Sequence, residues 1–127
     1  MPTATTEPGG SVRIATIIFA HGSSRVDDRD RGILRNVVKL HAKNGGKIRV
    51  VGHASSRTRS MSAERHATAN QRVSQRRADA VARELTRQGL GGDSVIVVAR
   101  SDTDPVYYEV MPSGEAGNRR TEVFLDY

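Results

Sequence analysis

The chain has 127 residues, a length that holds one hydrophobic core rather than two. Its 20 Lys and Arg against 14 Asp and Glu leave a net charge of +6, which favours anionic partners, and the absence of Cys excludes disulfides and thiolate metal sites. Aromatics make up only 4% of the residues, so the core has to come from Val, Ile, Leu and Ala, and no apolar run reaches the ~20 residues of a membrane helix.

Residues 1–11 are rich in Pro, Thr and Gly and read as a flexible tail or linker; they lack an apolar signal region, so an exported parent would carry its targeting segment elsewhere. Residues 12–127 read as one domain. The β-branched run at 12–19 predicts a buried strand, followed by the turn formers His21-Gly22-Ser23-Ser24. Between 27 and 43, Ile33, Leu34, Val37, Val38 and Leu40 form a helical stripe, with Asp27, Asp28 and Asp30 near its start and Lys39, His41 and Lys43 near its end, as a helix dipole favours. Asn44-Gly45-Gly46 stops it.

A second strand is predicted at 48–52, a second helix at 70–88 with Val73, Val81 and Leu85 on one stripe, a third strand at 95–99 and a last one at 121–127. This alternation predicts an α/β fold in the βαβαβ(α)β order. Its four-stranded sheet is mixed and mostly parallel, with helices packed on it and the last strand antiparallel at or inside the sheet.

In such a sheet a ligand site lies beyond the carboxyl ends of the parallel strands, here at 21–24, 53–58 and 100–104. Arg77 is the sharpest candidate residue, because Val73, Arg77, Val81 and Leu85 are spaced by four and so share one face. A guanidinium on a buried stripe requires a carboxylate partner, a ligand, or a route off the stripe's edge to water. Spacing alone leaves these open. Arg72, Arg76, Arg83 and Arg87 lie round the helix and read as solvated.

His21 and His53 have no metal-ligand spacing, and His21-Gly22-Ser23 lies in no nucleophile elbow. Phosphate-loop and dinucleotide motifs are absent, which leaves no cofactor, no metal and no catalytic set to assign. The basic segment at 56–65 carries three Arg without an interleaved aromatic, which argues for a solvated loop and against a nucleic-acid partner.

The helix Asn70-Gln-Arg-Val-Ser74-Gln-Arg-Arg77-Ala78-Asp-Ala-Val81, ending Leu85-Thr-Arg-Gln-Gly89, resembles the N-x-x-(L/V)-S-x-x-R-A-x-x-V-x-x-x-L-x-x-x-G helix of OmpA/MotB-type C-terminal domains. Phe19 with Ser24 after it, Val51-Gly52-His53, Pro105 and Asn118-Arg119-Arg120-Thr-Glu122-Val agree in order with the same family, so the resemblance covers nearly all of residues 12–127.

The resemblance implies non-covalent binding of peptidoglycan, in the periplasm, by a domain whose parent is outer-membrane associated. It implies that Arg77 grips a diaminopimelate carboxylate, with Asn70 and the backbone of Gly22 and Ala54 shaping the pocket. Ser55 stands where the family has the aspartate that grips the ammonium, and Ala20 where many members have Asp. Asp102, Asp104 and Glu64 are candidate replacements for that carboxylate. A fold that has lost wall binding and serves protein interaction is the alternative, followed by a basic nucleic-acid module.

Overall fold

The computed structural model describes residues 10–20, 22–54, 63–101 and 119–127. Alternation of faces is plainest in the last strand. In β4 (Arg120–Asp126), Thr121, Val123 and Leu125 are buried on one face, while Arg120, Glu122, Phe124 and Asp126 take the other. β1 (Ser11–Ile18) alternates up to a register shift between Arg13 and Ala15, and β2 (Lys47–His53) alternates over its first residues and is buried from Val50 to His53. The remaining strand, β3 (Val95–Ser101), follows a 3-10 turn at Gly92–Ser94. The tail read at 1–11 falls outside the described residues up to residue 9, while Ser11 opens β1 and Gly10 O accepts from Tyr127 N–H at 2.9 Å.

Helix α1 (Asp28–Asn44) starts at a capping box in which the Asp27 carboxylate accepts from Asp30 N–H at 2.8 Å and the Asp30 carboxylate accepts from Asp27 N–H at 3.1 Å. It stops at Gly45, whose φ of 70° suits glycine and whose N–H donates to His41 O.

Helix α2 (Ala63–Arg87) begins seven residues before the start expected at 70. The reason lies in the sequence: Ala63, Ala67 and Ala69, with Glu64 and Arg65 among them, are strong helix formers and extend the helix backwards into a stretch read as loop. Asn70 is consequently an interior, buried residue rather than an opening one.

The sheet order is β1-β4-β2-β3. β2 and β3 are parallel across the α2 crossover, whereas β4 sits between β1 and β2 and runs antiparallel to both. Three strands therefore point one way, yet β1 and β2, consecutive in the chain, never touch as neighbours. Of the two places expected for the antiparallel last strand, edge or interior, it takes the interior.

One core cluster joins Ile17, Ile48, Val50, Val123 and Leu125 of the sheet to Leu34 and Val37 of α1 and to Ala78, Val81 and Leu85 of α2, so both helices cover the same face. Each fully buried Leu, Ile or Val contributes roughly 1.5–3 kcal/mol. The opposite face carries paired charges instead. Arg49 Nε donates to Asp126 at 2.9 Å with its guanidinium 4.3 Å from the Phe124 ring, and Arg13 Nη1 donates to Glu122 at 2.9 Å.

Candidate functional site

Small residues decide where α2 meets the sheet. A Cβ on Gly52 would lie 2.0 Å from Ser74 O and 3.0 Å from the Ala78 Cβ, so only glycine lets the helix backbone rest on the end of β2. Ser74 is itself fully buried, its hydroxyl turned back to Gln71 O at 3.0 Å. Residue 77 lies between these two contacts, and Arg77 is thereby held at the carboxyl ends of β1 and β2.

The side chain of Arg77 has 0% exposure and is the largest fully buried one among the described residues. Its partners are three backbone carbonyls. Nε donates to Ser23 O at 2.9 Å, Nη1 to His53 O at 3.1 Å and Nη2 to Ala20 O at 3.2 Å. The guanidinium also lies 5.3 Å from the centre of the Phe19 ring. Of the partners expected from the stripe, a carboxylate is absent among the described residues, and the chain's own peptide groups take its place. They carry partial negative charge but no net charge, so the cation is not neutralised. Three bonds out of five N–H donors leave one N–H on each of Nη1 and Nη2, donors of the kind a carboxylate accepts.

Electrostatics sharpen this. Burial, then the neighbouring charges of Arg119 and Arg76, lower the Arg77 pKa to about 10. It stays protonated at neutral pH, so this edge holds a cation under strain from its surroundings. Arg119 was read in the sequence only as part of a family marker. The interior position of β4 brings it here: Phe19 N–H donates to Arg119 O at 2.7 Å and Arg119 Nε donates to Phe19 O at 3.1 Å. No sequence pattern announces that neighbour, because it depends on which strand pairs with β1.

Of the residues expected to shape the site, Gly22 is exposed with φ of 69°, Ala54 is buried just after β2, and Asn70 is buried in α2. Ala20 contributes its carbonyl to Arg77. Ser55, His21, Asp102 and Asp104 lie outside the described residues, as does the side chain of Glu64.

His53 ties the edge to the face away from the helices. Its carbonyl accepts from Arg77, while its ring Nε2 lies 2.8 Å from Glu122 Oε1. Glu122 also meets Arg13 and, at 3.5 Å, Arg120. Burial alone would raise the Glu122 pKa; the Arg13 hydrogen bond with the charges of Arg120 and His53 outweighs it and holds the carboxyl below its usual value.

Residues 18–119 match the OmpA family. The chain belongs to the OmpA family. Among solved structures, this OmpA-family domain is similar to the cell wall anchor of the T6SS from Pseudomonas aeruginosa at 31% identity and a TM-score of 0.70. The match covers 87% of this chain and 78% of that one. It is also similar to the peptidoglycan-associated lipoprotein of Burkholderia pseudomallei, at 22% identity and a TM-score of 0.66 over 85% and 86% of the two chains. The C-terminal domain of Helicobacter pylori MotB shares the fold at a TM-score of 0.76 and 16% identity, over 90% and 87%. Outer membrane protein 40 of Porphyromonas gingivalis is 27% identical over 93 residues, 73% of this chain and 23% of that protein, so the chain spans about a quarter of that relative.

Proposed function

We propose that this domain binds bacterial peptidoglycan non-covalently and anchors an envelope protein to the cell wall, acting in the periplasm as a binding module and not as an enzyme. The observation that carries the reading is the Arg77 guanidinium at the carboxyl edge of the sheet, bonded to three carbonyls and to no carboxylate among the described residues, with the positive charges of Arg119 and Arg76 acting on it. A stem-peptide carboxylate, that of diaminopimelate, supplies the missing charge. In this reading Gly22, Ala54 and Asn70 shape the surroundings of that carboxylate, and Ser55, which stands where the family has aspartate, offers the ammonium a hydroxyl in place of a charge. The family match supports the reading, as do relatives described as a cell wall anchor and as a peptidoglycan-associated lipoprotein. The parent is outer-membrane associated.

A second reading is favoured by one specific fact. The three carbonyl bonds of Arg77 give a buried arginine a purely structural task, so the fold can retain it after wall binding has been lost. Since Arg77 has no exposed surface, a ligand reaches its two remaining N–H groups only through a local change at this edge.

The test is a titration of the isotope-labelled chain with a diaminopimelate-containing muramyl tripeptide, followed by amide and guanidinium resonances, beside an Arg77→Lys variant whose fold is checked by its melting curve. Lysine keeps the charge and loses the fork. Expected are saturable shifts at 20–24, 53–54 and Arg77 Nε in the wild type and at least about tenfold weaker binding in the variant. A wild type untouched by the peptide, or a folded Arg77→Lys chain that binds equally well, sinks the assignment.

A further inference from the structure

Helix α2 carries a second basic feature that the Arg77 site does not use. Arg72, Arg76, Arg83 and Arg87 are all exposed, and steps of four, seven and four residues put them within about 60° of one another on the outer face. The row is about 22 Å long at 1.5 Å per residue. Arg87 is occupied by Glu84, which it grips through Nε and Nη2. Among the described residues, no acidic group pairs with Arg72, Arg76 or Arg83. Asp79 lies on the same row and accepts from Gln75 at 3.0 Å. From residue 70 to 87, five arginines face two carboxylates.

We propose that this row is a second wall-contacting surface, which lies along the anionic polymer presenting free stem carboxylates and so adds electrostatic contacts to the single stem gripped at Arg77. The inference rests on the peptidoglycan reading of that site. Charge complementarity and position both favour this occupant. The row passes Arg76, the immediate chain neighbour of Arg77, and runs away from it along the helix, so one polymer reaches both. The cations of the row are all arginine, whose planar fork suits carboxylates.

Along the row lie Gln75, Asp79 and Thr86, with no large apolar side chain to enter a bilayer and no aromatic ring to stack on a base. Those features argue against a lipid surface and against nucleic acid. A repeating anion bound at several points gains by effective concentration, so contacts that are individually weak and screened by salt become useful together.

The test uses the double variant R72Q/R83Q, which leaves Arg76, Arg77 and the Arg87–Glu84 pair intact. Binding is measured to the free muramyl tripeptide, to purified sacculi, to sacculi with amidated carboxylates, and to phosphatidylglycerol vesicles. Expected is unchanged tripeptide affinity with sacculus affinity lowered about three- to tenfold at about 0.05 M salt, a difference that closes near about 0.5 M salt and on amidated sacculi. Equal sacculus binding overturns the proposal, and so does a loss confined to the vesicles, which would assign the row to a bilayer.

A wild type that ignores the free tripeptide yet loses sacculi on the double substitution refutes the Arg77 reading and keeps the row. A wild type that ignores both refutes both.

Discussion

Arg77 holds three chain segments at once, through the carbonyls of Ala20, Ser23 and His53. Its burial was legible in the sequence, because residues four apart on a helix share a face and Val81 and Leu85 mark that face as apolar. Its partners were not. Backbone carbonyls belong to every residue type and leave no trace in a sequence, so reasoning from side chains alone looked for a carboxylate. The consequence is measurable: Arg77→Ala strands buried carbonyls and opens a cavity, and should lower stability by roughly 2–4 kcal/mol in chemical denaturation. A loss below about 0.5 kcal/mol would mean that the carbonyl clamp contributes little, and would return Arg77 to a role in binding alone.

Elements were legible to the extent that periodicity defines them. Short β-branched and apolar runs beside turn residues marked all four strands to within two residues at each end, and the stripe of α1 together with its acidic start and glycine stop marked that helix closely. The start of α2 was missed by seven residues, because the alanines and charged residues before Asn70 show helix propensity without a stripe to betray it. The contact between α2 and β2 depends on Gly52, Ser74 and Ala78 being small. Gly52→Ala places a methyl group against the Ser74 carbonyl, and since backbone has to move, a loss of roughly 3 kcal/mol or more is expected in thermal or chemical unfolding. Gly91→Ala is the control: nothing lies within 4 Å of its Cβ position, so a change within about 0.5 kcal/mol is expected. Similar losses for both would remove the close approach as the reason for glycine at 52.

At the scale of the whole molecule, fold class followed from the order of elements, while strand order did not. Pairing is a long-range choice, and nothing local in residues 120–126 says that they enter between β1 and β2. That choice also builds the charged face of the sheet, where Glu122 of β4 gathers Arg13, Arg120 and His53. Its carboxyl is held below the ordinary 4.5, so its contribution to stability is complete above about that pH and is lost as pH falls through the lowered folded value. Melting curves from pH 7 to pH 3 should therefore show a steeper acid loss for the wild type than for Glu122→Gln, which should be the less stable chain at pH 7 and converge with the wild type in acid. Parallel curves would show that Glu122 titrates alike folded and unfolded.

The interior place of β4 has a further consequence, in time rather than in space. Arg13 and Glu122, which touch across β1 and β4, are 109 residues apart in the chain. Among the described strands β1 has no other neighbour, so a chain emerging from a ribosome or threading a pore carries β1 without a sheet partner until β4 follows. β2 and β3 pair directly across α2 and need no later strand, but β1 joins the sheet only once β4 is through.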